Sequence, residues 1–489
     1  EVTDIFGQTA AQGFRISRLN AATRGVLVGA GGSVVNTPLG IPAELGMHTI
    51  VVELRDYAGN QVIKSAYAKI SVVDEVVQVT GNVDANATWV STKSYNLNGI
   101  VFVRNNSVLT IQPGTVITGT AGSPPGTLVV TRGARLEASG TKSRPIIMTS
   151  SRPVGQRQRG DWGGLVLLGS APTNQPDAGR FAEGFDQSPT VAYGGNDPAS
   201  SCGTLRYLRS EFAGFTIGTG NEINSFSFYS CGTGTVAEHL QAHYGADDSF
   251  EWFGGTMNAK YLVATYGDDD YFDIGFGWQG NVQFALGVQA PDAGSRGIEA
   301  DNNEASFALA PIARPSFYNV TLIGSGVAGT EDSSLGLLLR RGVQGAYNNF
   351  IVQNFGVQAI QITDDATFSG IDQNQLTANG FIVWNNARVS NGANTPEAQI
   401  HSSALPFAQG TRGTGRQFIY ADPMLRNPLG YSGGDWMPMA SSPVYRANWV
   451  LPPDNGFFDQ SARFVGAIGK EDWTEEWTTS LLEEDIRIP

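Results

Sequence analysis

Six carboxylates recur in two sets of three, and no other side chains in this chain are arranged so suggestively for chemistry. Asp247, Asp248 and Glu251 are followed 22 residues later by Asp269, Asp270 and Asp273. Their surroundings repeat as well: Leu240 falls on Leu262, and Tyr244-Gly245 on Tyr266-Gly267. Carboxylates brought together in this way repel unless protons, water or a cation intervene. Calcium suits such a set, because a hard ion takes about six to eight oxygens, carboxylate and backbone carbonyl alike. Asp268, Glu299 and Asp301 are available to extend it. The competing reading makes the same acids turn-formers whose oxygens accept backbone N–H groups at the corners of the fold.

A catalytic use of these acids takes one of two forms. Calcium-assisted elimination on an acidic polysaccharide needs a strong base near the ion, and Lys260 and Arg296 are the candidates, alongside Asp270. Hydrolysis needs two carboxyl groups whose environments separate their pKa values, which stacked like acids do not obviously provide. The His-Gly and Arg-Ile-Lys elements of polygalacturonase-type hydrolases are absent, although a glycosidase using acids alone needs neither. His239 and His243 would share one face of a strand about 13 Å apart, at about 3.3 Å per residue, too far to hold one metal. Phe250, Trp252, Phe253, Tyr271, Phe272, Phe276 and Trp278 crowd the acids. They are read either as interior packing or as a platform for sugar rings, with Trp252, Tyr271 and Trp278 as the ligand-binding candidates. Cys202 and Cys231 both stand in Ser-Cys-Gly. They are candidates for a disulfide between neighbouring coils, with two buried thiols as the alternative.

The elements that must position these residues follow from the repeat itself. A period of about 20 residues, alternating apolar side chains, a turn glycine and no helix signal describe one coil of a parallel β-solenoid. Short apolar strands at Leu109, Leu128, Ile146 and Leu165 follow one another at short, nearly equal intervals and predict tight early coils. Val320, Phe350 and Phe381, about 30 apart, predict longer ones with loops on one side, where repeat proteins tend to place function. Residues 1–76 read differently. Alternating strands around His48–Arg55 and Gln61–Val73 flank the turn-forming stretch 56–60, which predicts a small immunoglobulin-like sandwich. The parallel β-helix is predicted over 77–450. Residues 451–489, with Trp473 and Trp477, are read as a segment capping the open end.

Composition narrows the partners. The chain has 489 residues, 31 basic against 45 acidic, and a net charge of −14 without a basic run. Nucleic acid and anionic lipid are therefore poor partners. No stretch is long and apolar enough for a transmembrane helix. No signal peptide is present and the first residue is Glu1, so a processed mature form is the expectation.

Several segments together resemble secreted or outer-surface right-handed β-helix proteins of Gram-negative bacteria. They are Val108–Ile117, Gly160-Asp161-Trp162-Gly163-Gly164, Gly245–Asp248 with Glu251–Gly255, Arg296–Asn302, Val465-Gly466-Ala467 and Trp477-Thr478. The resemblance spans residues 80–480. It implies a right-handed β-helix and an extracellular or outer-surface location, and it carries no residue roles. The resulting expectation is an all-β protein, an immunoglobulin-like module followed by a right-handed parallel β-helix. Its function is read as structural or adhesive, calcium-stabilised, self-assembling or bound to surface polysaccharide, and not enzymatic. The alternatives are a polysaccharide lyase or hydrolase, and a glycan-binding protein, using the acidic and aromatic face near 245–301.

Overall fold

The computed structural model describes residues 13–18, 25–28, 44–55, 62–218, 221–327, 334–387, 395–413, 416–430 and 434–479. From Glu75 to Tyr420 the chain winds into a parallel β-helix whose coils contribute to two long sheets, one of 15 strands and one of nine. Every pairing within these two sheets is parallel and nearly all are in register, so like positions stack coil upon coil. Between the sheets lies a continuous apolar interior running from Trp89 to Ala408.

The four closely spaced early strands are not successive coils. Leu109 and Ile146 belong to the long sheet, whereas Leu128 and Leu165 belong to the shorter one. Leu128 stacks on Val101 below it and on Leu165 above it. The tight spacing therefore alternates between sheets, and similar apolar triplets on different faces cannot be told apart by period alone. By contrast the repeat that carries the acids is one true coil, with Leu240 on Leu262 and Glu251 on Asp273.

In the first coils the long sheet is built from separate short strands. From Gly203 onward two of them fuse into strands of eight or nine residues with a bend in the middle. The bend is a single left-handed residue, Tyr207, His239, Tyr261, Phe284, Asn319 or Asn349 in successive coils, with φ between 44° and 62°. Each such residue is skipped by the ladder register. Its side chain is turned out of the interior, and the first four rings stack 4.2, 4.3 and 4.9 Å apart.

That outer stack is covered by the C-terminal segment, which runs along the outside of the long sheet rather than over the last coil. Trp477 meets Tyr207 and His239 edge-on, and Trp473 meets His239 and Tyr261. Further along, Gly466 N–H donates to Asn349 O and Ala467 N–H to Thr321 Oγ1. The tail thus buries a second apolar cluster outside the helix. Where the sequence predicts that residues 451–489 cap the open end, the described part, 451–479, packs instead on the aromatic bends of the long sheet.

The N-terminal region also departs from expectation. Its strands Gly13–Arg18, Gly25–Val28, Gly46–Arg55 and Val62–Val72 form one antiparallel four-stranded sheet. Among the described residues no second sheet faces it, so an immunoglobulin-like sandwich is not present there. The proposed turn at 56–60 lies outside the described residues. The sheet leans on the solenoid and the tail: Lys69 Nζ donates to Ser143 O at 3.0 Å, and Tyr67 OH to Glu475 at 3.0 Å.

Candidate functional site

The acids are set by strand alternation and register. In Phe250–Phe253 the side chains of Phe250 and Trp252 point inward, which turns Glu251 and Phe253 outward. The same alternation in Phe272–Gly275 and Arg296–Ala300 stacks Ser227, Glu251, Asp273, Glu299 and Leu338 in one outward column. Turns just before the strands deliver Asp247 and Asp248, then Asp269 and Asp270. Asp270 N–H donates to Asp248 Oδ1 at 2.9 Å, and Arg296 N–H to Asp270 Oδ1. The turn-forming role is therefore real for Asp248 and Asp270, but it occupies one oxygen of each and does not remove the charge of the ladder.

The ladder does not lie on an open surface. It floors a cleft of about 330 Å³ lined by 11 carboxylates and three arginines, so the site carries a large excess of negative charge. Asp247, Asp248, Asp270 and Glu299 are only 3 to 7 % exposed. One wall brings Glu183, another Glu222 beside Asn224, whose amide donates to Glu251. A third wall is held by amides: Asn174 Nδ2 donates to Asn302 Oδ1 at 2.8 Å, and Asn303 Nδ2 to Asn174 Oδ1 at 3.1 Å.

Positive charge is confined to one end. Arg296 Nη1 lies 2.7 Å from Glu299 and 3.7 Å from Asp270. Arg340 pairs with Glu299 and, at 2.8 Å, with Asp301; Arg341 reaches Asp301 at 2.6 Å. At the other end, burial first and the neighbouring carboxylates second hold Asp247 and Asp248 well above the usual carboxylate range. Glu251, Asp270 and Asp273 are raised well above it for the same reasons. Burial pushes Glu183 up to about 8. These groups hold protons near neutral pH or else a cation must replace the protons.

Three sets of acids offer oxygens within 4.8 Å of one another: Asp247, Asp248 and Asp269; Asp248, Glu251 and Asp273; Asp270, Asp273 and Glu299. Asp248 and Asp273 each belong to two sets. An all-oxygen donor set of this kind suits a hard divalent cation. All six ladder acids singled out in the sequence thus converge, and Arg296 joins them. Asp268 is exposed, lies outside the cleft, and has Arg159 nearby.

Other candidates fall elsewhere. Lys260 is on the long sheet, with its ammonium 4.6 Å over the Phe457 ring, so it cannot act on anything in the cleft. Trp252, Tyr271 and Trp278 are fully buried in the interior, Trp252 stacked on Trp278 at 4.7 Å. Tyr271 lies so close to Gly287 that a Cβ there would sit 2.2 Å from its ring. None of the three can meet a ligand: strand alternation turns Trp252 inward, and Tyr271 and Trp278, in the turns flanking Phe272–Gly275, pack into the same interior. His239 and His243 are separated by the bend at His239; one joins the outer ring stack and the other hydrogen-bonds Thr265 Oγ1 at 2.8 Å. Cys202 and Cys231 are joined in a disulfide.

Glu183, Glu222, Arg340 and Arg341 were missed by sequence reasoning. Glu183 lies in the long excursion before Gly203, and Glu222 on the short strand Asn221–Ile223 of a separate two-stranded antiparallel sheet, both outside any repeat. Arg340-Arg341, just after the strand Leu335–Leu339, could have been found by extending the column one coil beyond Glu299.

No curated protein and no solved structure matches the chain. A family model described as a pectate-lyase-like β-helix domain matches residues 81–420, which include every wall of the cleft. That match and the buried acid sets overturn the expectation of a non-enzymatic protein, since a solvated structural ladder would not bury mutually repelling acids in a cleft. With more than half its length matched, the chain belongs to the pectate-lyase-like β-helix domain family.

Proposed function

We propose that the protein is a calcium-dependent enzyme acting on an acidic polysaccharide in the cleft, by β-elimination at a uronate residue. The observation that carries this reading is the set of three overlapping carboxylate groups sharing Asp248 and Asp273. Eleven carboxylates would repel a polyanion, so bound cations are what make an acidic substrate compatible with the site. When bound, calcium would supply a positive centre that screens the ladder and draws charge from the substrate carboxylate.

The chain's own residues supply the rest. Asp270 and Glu299 keep the Arg296 guanidinium charged, which suits it to bind a substrate carboxylate and unsuits it as the base. Glu183, pushed up to about 8, is matched to proton transfer near neutral pH. In the proposed step it accepts the proton from the carbon next to the uronate carboxylate. The electron pair forms the new double bond as the glycosidic C–O bond breaks, and a protonated ladder acid or water protonates the leaving oxygen. Right-handed winding, an extracellular or outer-surface location and the Cys202–Cys231 disulfide are consistent parts of this reading.

Hydrolysis is the second reading, and one observation favours it. Glu251 and Asp273, on adjacent strands, offer oxygens within 4.8 Å, close to the roughly 5 to 5.5 Å of retaining glycosidases. One assay separates the two. Acidic and neutral polysaccharides are incubated with the protein in calcium or EDTA, reading unsaturated-uronate absorbance and new reducing ends. Absorbance that needs calcium supports elimination, and reducing ends without absorbance support hydrolysis. Neither signal on any substrate, from protein shown to bind calcium, would refute the enzymatic reading.

A further inference from the structure

We infer that Gly275, with the rings of Phe253 and Phe276, seats one pyranose ring of the substrate beside the acid ladder. This inference rests on the polysaccharide reading above and names the subsite within that cleft. Two residues along the strand from the acid column runs a second outward column, in which Tyr229 stacks on Phe253 and Phe253 pairs with Gly275. Tyr229 and Phe253 lie face to face at 3.9 Å, and Phe276 continues the stack 6.0 Å from Phe253 at 13°. At Gly275 the column loses its side chain. A Cβ there would meet nothing within 4 Å, and its backbone is not left-handed. The glycine is therefore required neither by packing nor by conformation; its effect is to leave open space in the cleft.

Contrast with the other outer rings sharpens the point. Tyr207, His239, Tyr261 and Phe284 are also turned outward at bends, but the tail tryptophans and Phe464 cover that stack. Phe276 is only partly buried, and it lines the cleft. Its carbonyl accepts from Asn174 N–H and Thr173 Oγ1, both at 3.0 Å, which fixes the bend that presents the ring. An apolar ring beside the open space at Gly275, two residues along the strand from Asp273, with Asp301 and Arg340 lining the same cleft, matches the two-sided character of a sugar. The C–H face rests on the ring and the hydroxyls or carboxylate meet the charged side.

The test uses Gly275→Leu, which fills the space without strain, and Phe276→Ala, which removes the platform. Binding of galacturonate, mannuronate and neutral glucan tetramers is measured by calorimetry in calcium, with melting temperature and calcium affinity as controls. The expected result is a tetramer affinity at least about tenfold weaker in both variants, a loss of about 1.4 kcal/mol, with calcium affinity unchanged. Wild-type affinity in Gly275→Leu with a normal melting temperature would overturn the subsite. Binding of the neutral tetramer alone, lost in Gly275→Leu, would keep the subsite and overturn the uronate reading. Failure of the wild type to bind any tetramer would overturn both.

Discussion

Replacing Asp273 by Asn should stabilise the calcium-free protein and shrink the stability gained from calcium. Asp273 contributes an oxygen to two of the three acid sets and is raised well above the ordinary carboxylate range by burial, then by Glu299 and Asp301. A carboxyl whose folded pKa exceeds its unfolded value stabilises the fold fully below the unfolded pKa, near 3.8. That contribution is lost as pH rises through the folded value, because the folded state then binds more protons than the unfolded one. Without metal at pH 8, far above the unfolded value, the wild type therefore bears the cost of holding these buried acids either protonated or ionised against one another. Asn, nearly isosteric and neutral, removes part of that cost, on the order of 1.4 kcal/mol for every tenfold by which folding weakens the acid. With calcium at 100 times its dissociation constant the wild type gains about 2.7 kcal/mol. For 489 residues, at about 2.1 cal/mol/K of unfolding entropy per residue, that is a rise of about 3 °C. Calorimetric melts at pH 8 should show Asp273→Asn melting above the wild type in EDTA and gaining less than half as much from calcium. A variant that melts lower than wild type in EDTA and gains equally from calcium would refute both the repulsion and the ligand assignment.

Other outcomes follow from the same geometry. Metal-free wild type should lose melting temperature between pH 5 and pH 8, the window set by the raised ladder acids and by Glu183 at about 8; calcium should flatten that slope. Glu183→Gln should reduce turnover of a cleaved polysaccharide by about 10²-fold or more, the usual contribution of a positioned acid or base, with little change in calcium affinity by titration. His239 is lowered to about 4, by burial first and then by Arg206 and Lys142 against Glu238. NMR should show it neutral until about pH 4, and its contribution to stability, present above pH 6.5, should fall as pH drops through that window. Trp477→Ala removes the fully buried ring by which the tail packs on Tyr207 and His239. The expected cost is about 3 to 5 kcal/mol, with amide exchange accelerated along 464–479 before the solenoid itself loosens.

The stacked rows, more than any single contact, hold the cleft in shape. Phe226, Phe250 and Phe272 repeat at one interior position 5.0 and 5.7 Å apart, and directly beside the latter two an acid faces outward. Burying each ring is worth about 1.5 to 3 kcal/mol. That burial fixes the register, and the register is what forces the acids together despite their repulsion.

The sequence alone was enough to establish the solenoid and the ladder. A repeat that matches leucines, tyrosine-glycine pairs and acids leaves few folds that stack like on like, and in such a fold Glu251 must lie on Asp273. Strand alternation was equally available in Phe250-Glu251-Trp252-Phe253. Followed strictly, it would have placed Trp252 inside and Phe253 out. Longer-range placement decided the rest. Whether the acids lay on an open face or in a cleft depended on Glu183, Glu222 and the Asn174–Asn302 clamp, which come from excursions with no period. Arg340 and Arg341 reach the ladder only because Leu338 stacks on Glu299 from the next coil. Likewise the bend residues needed a cover that arrives from the far end of the chain. Local pattern fixes which way a side chain points relative to its neighbours; which distant segment then faces it is set by how excursions of unequal length fold back over a regular core.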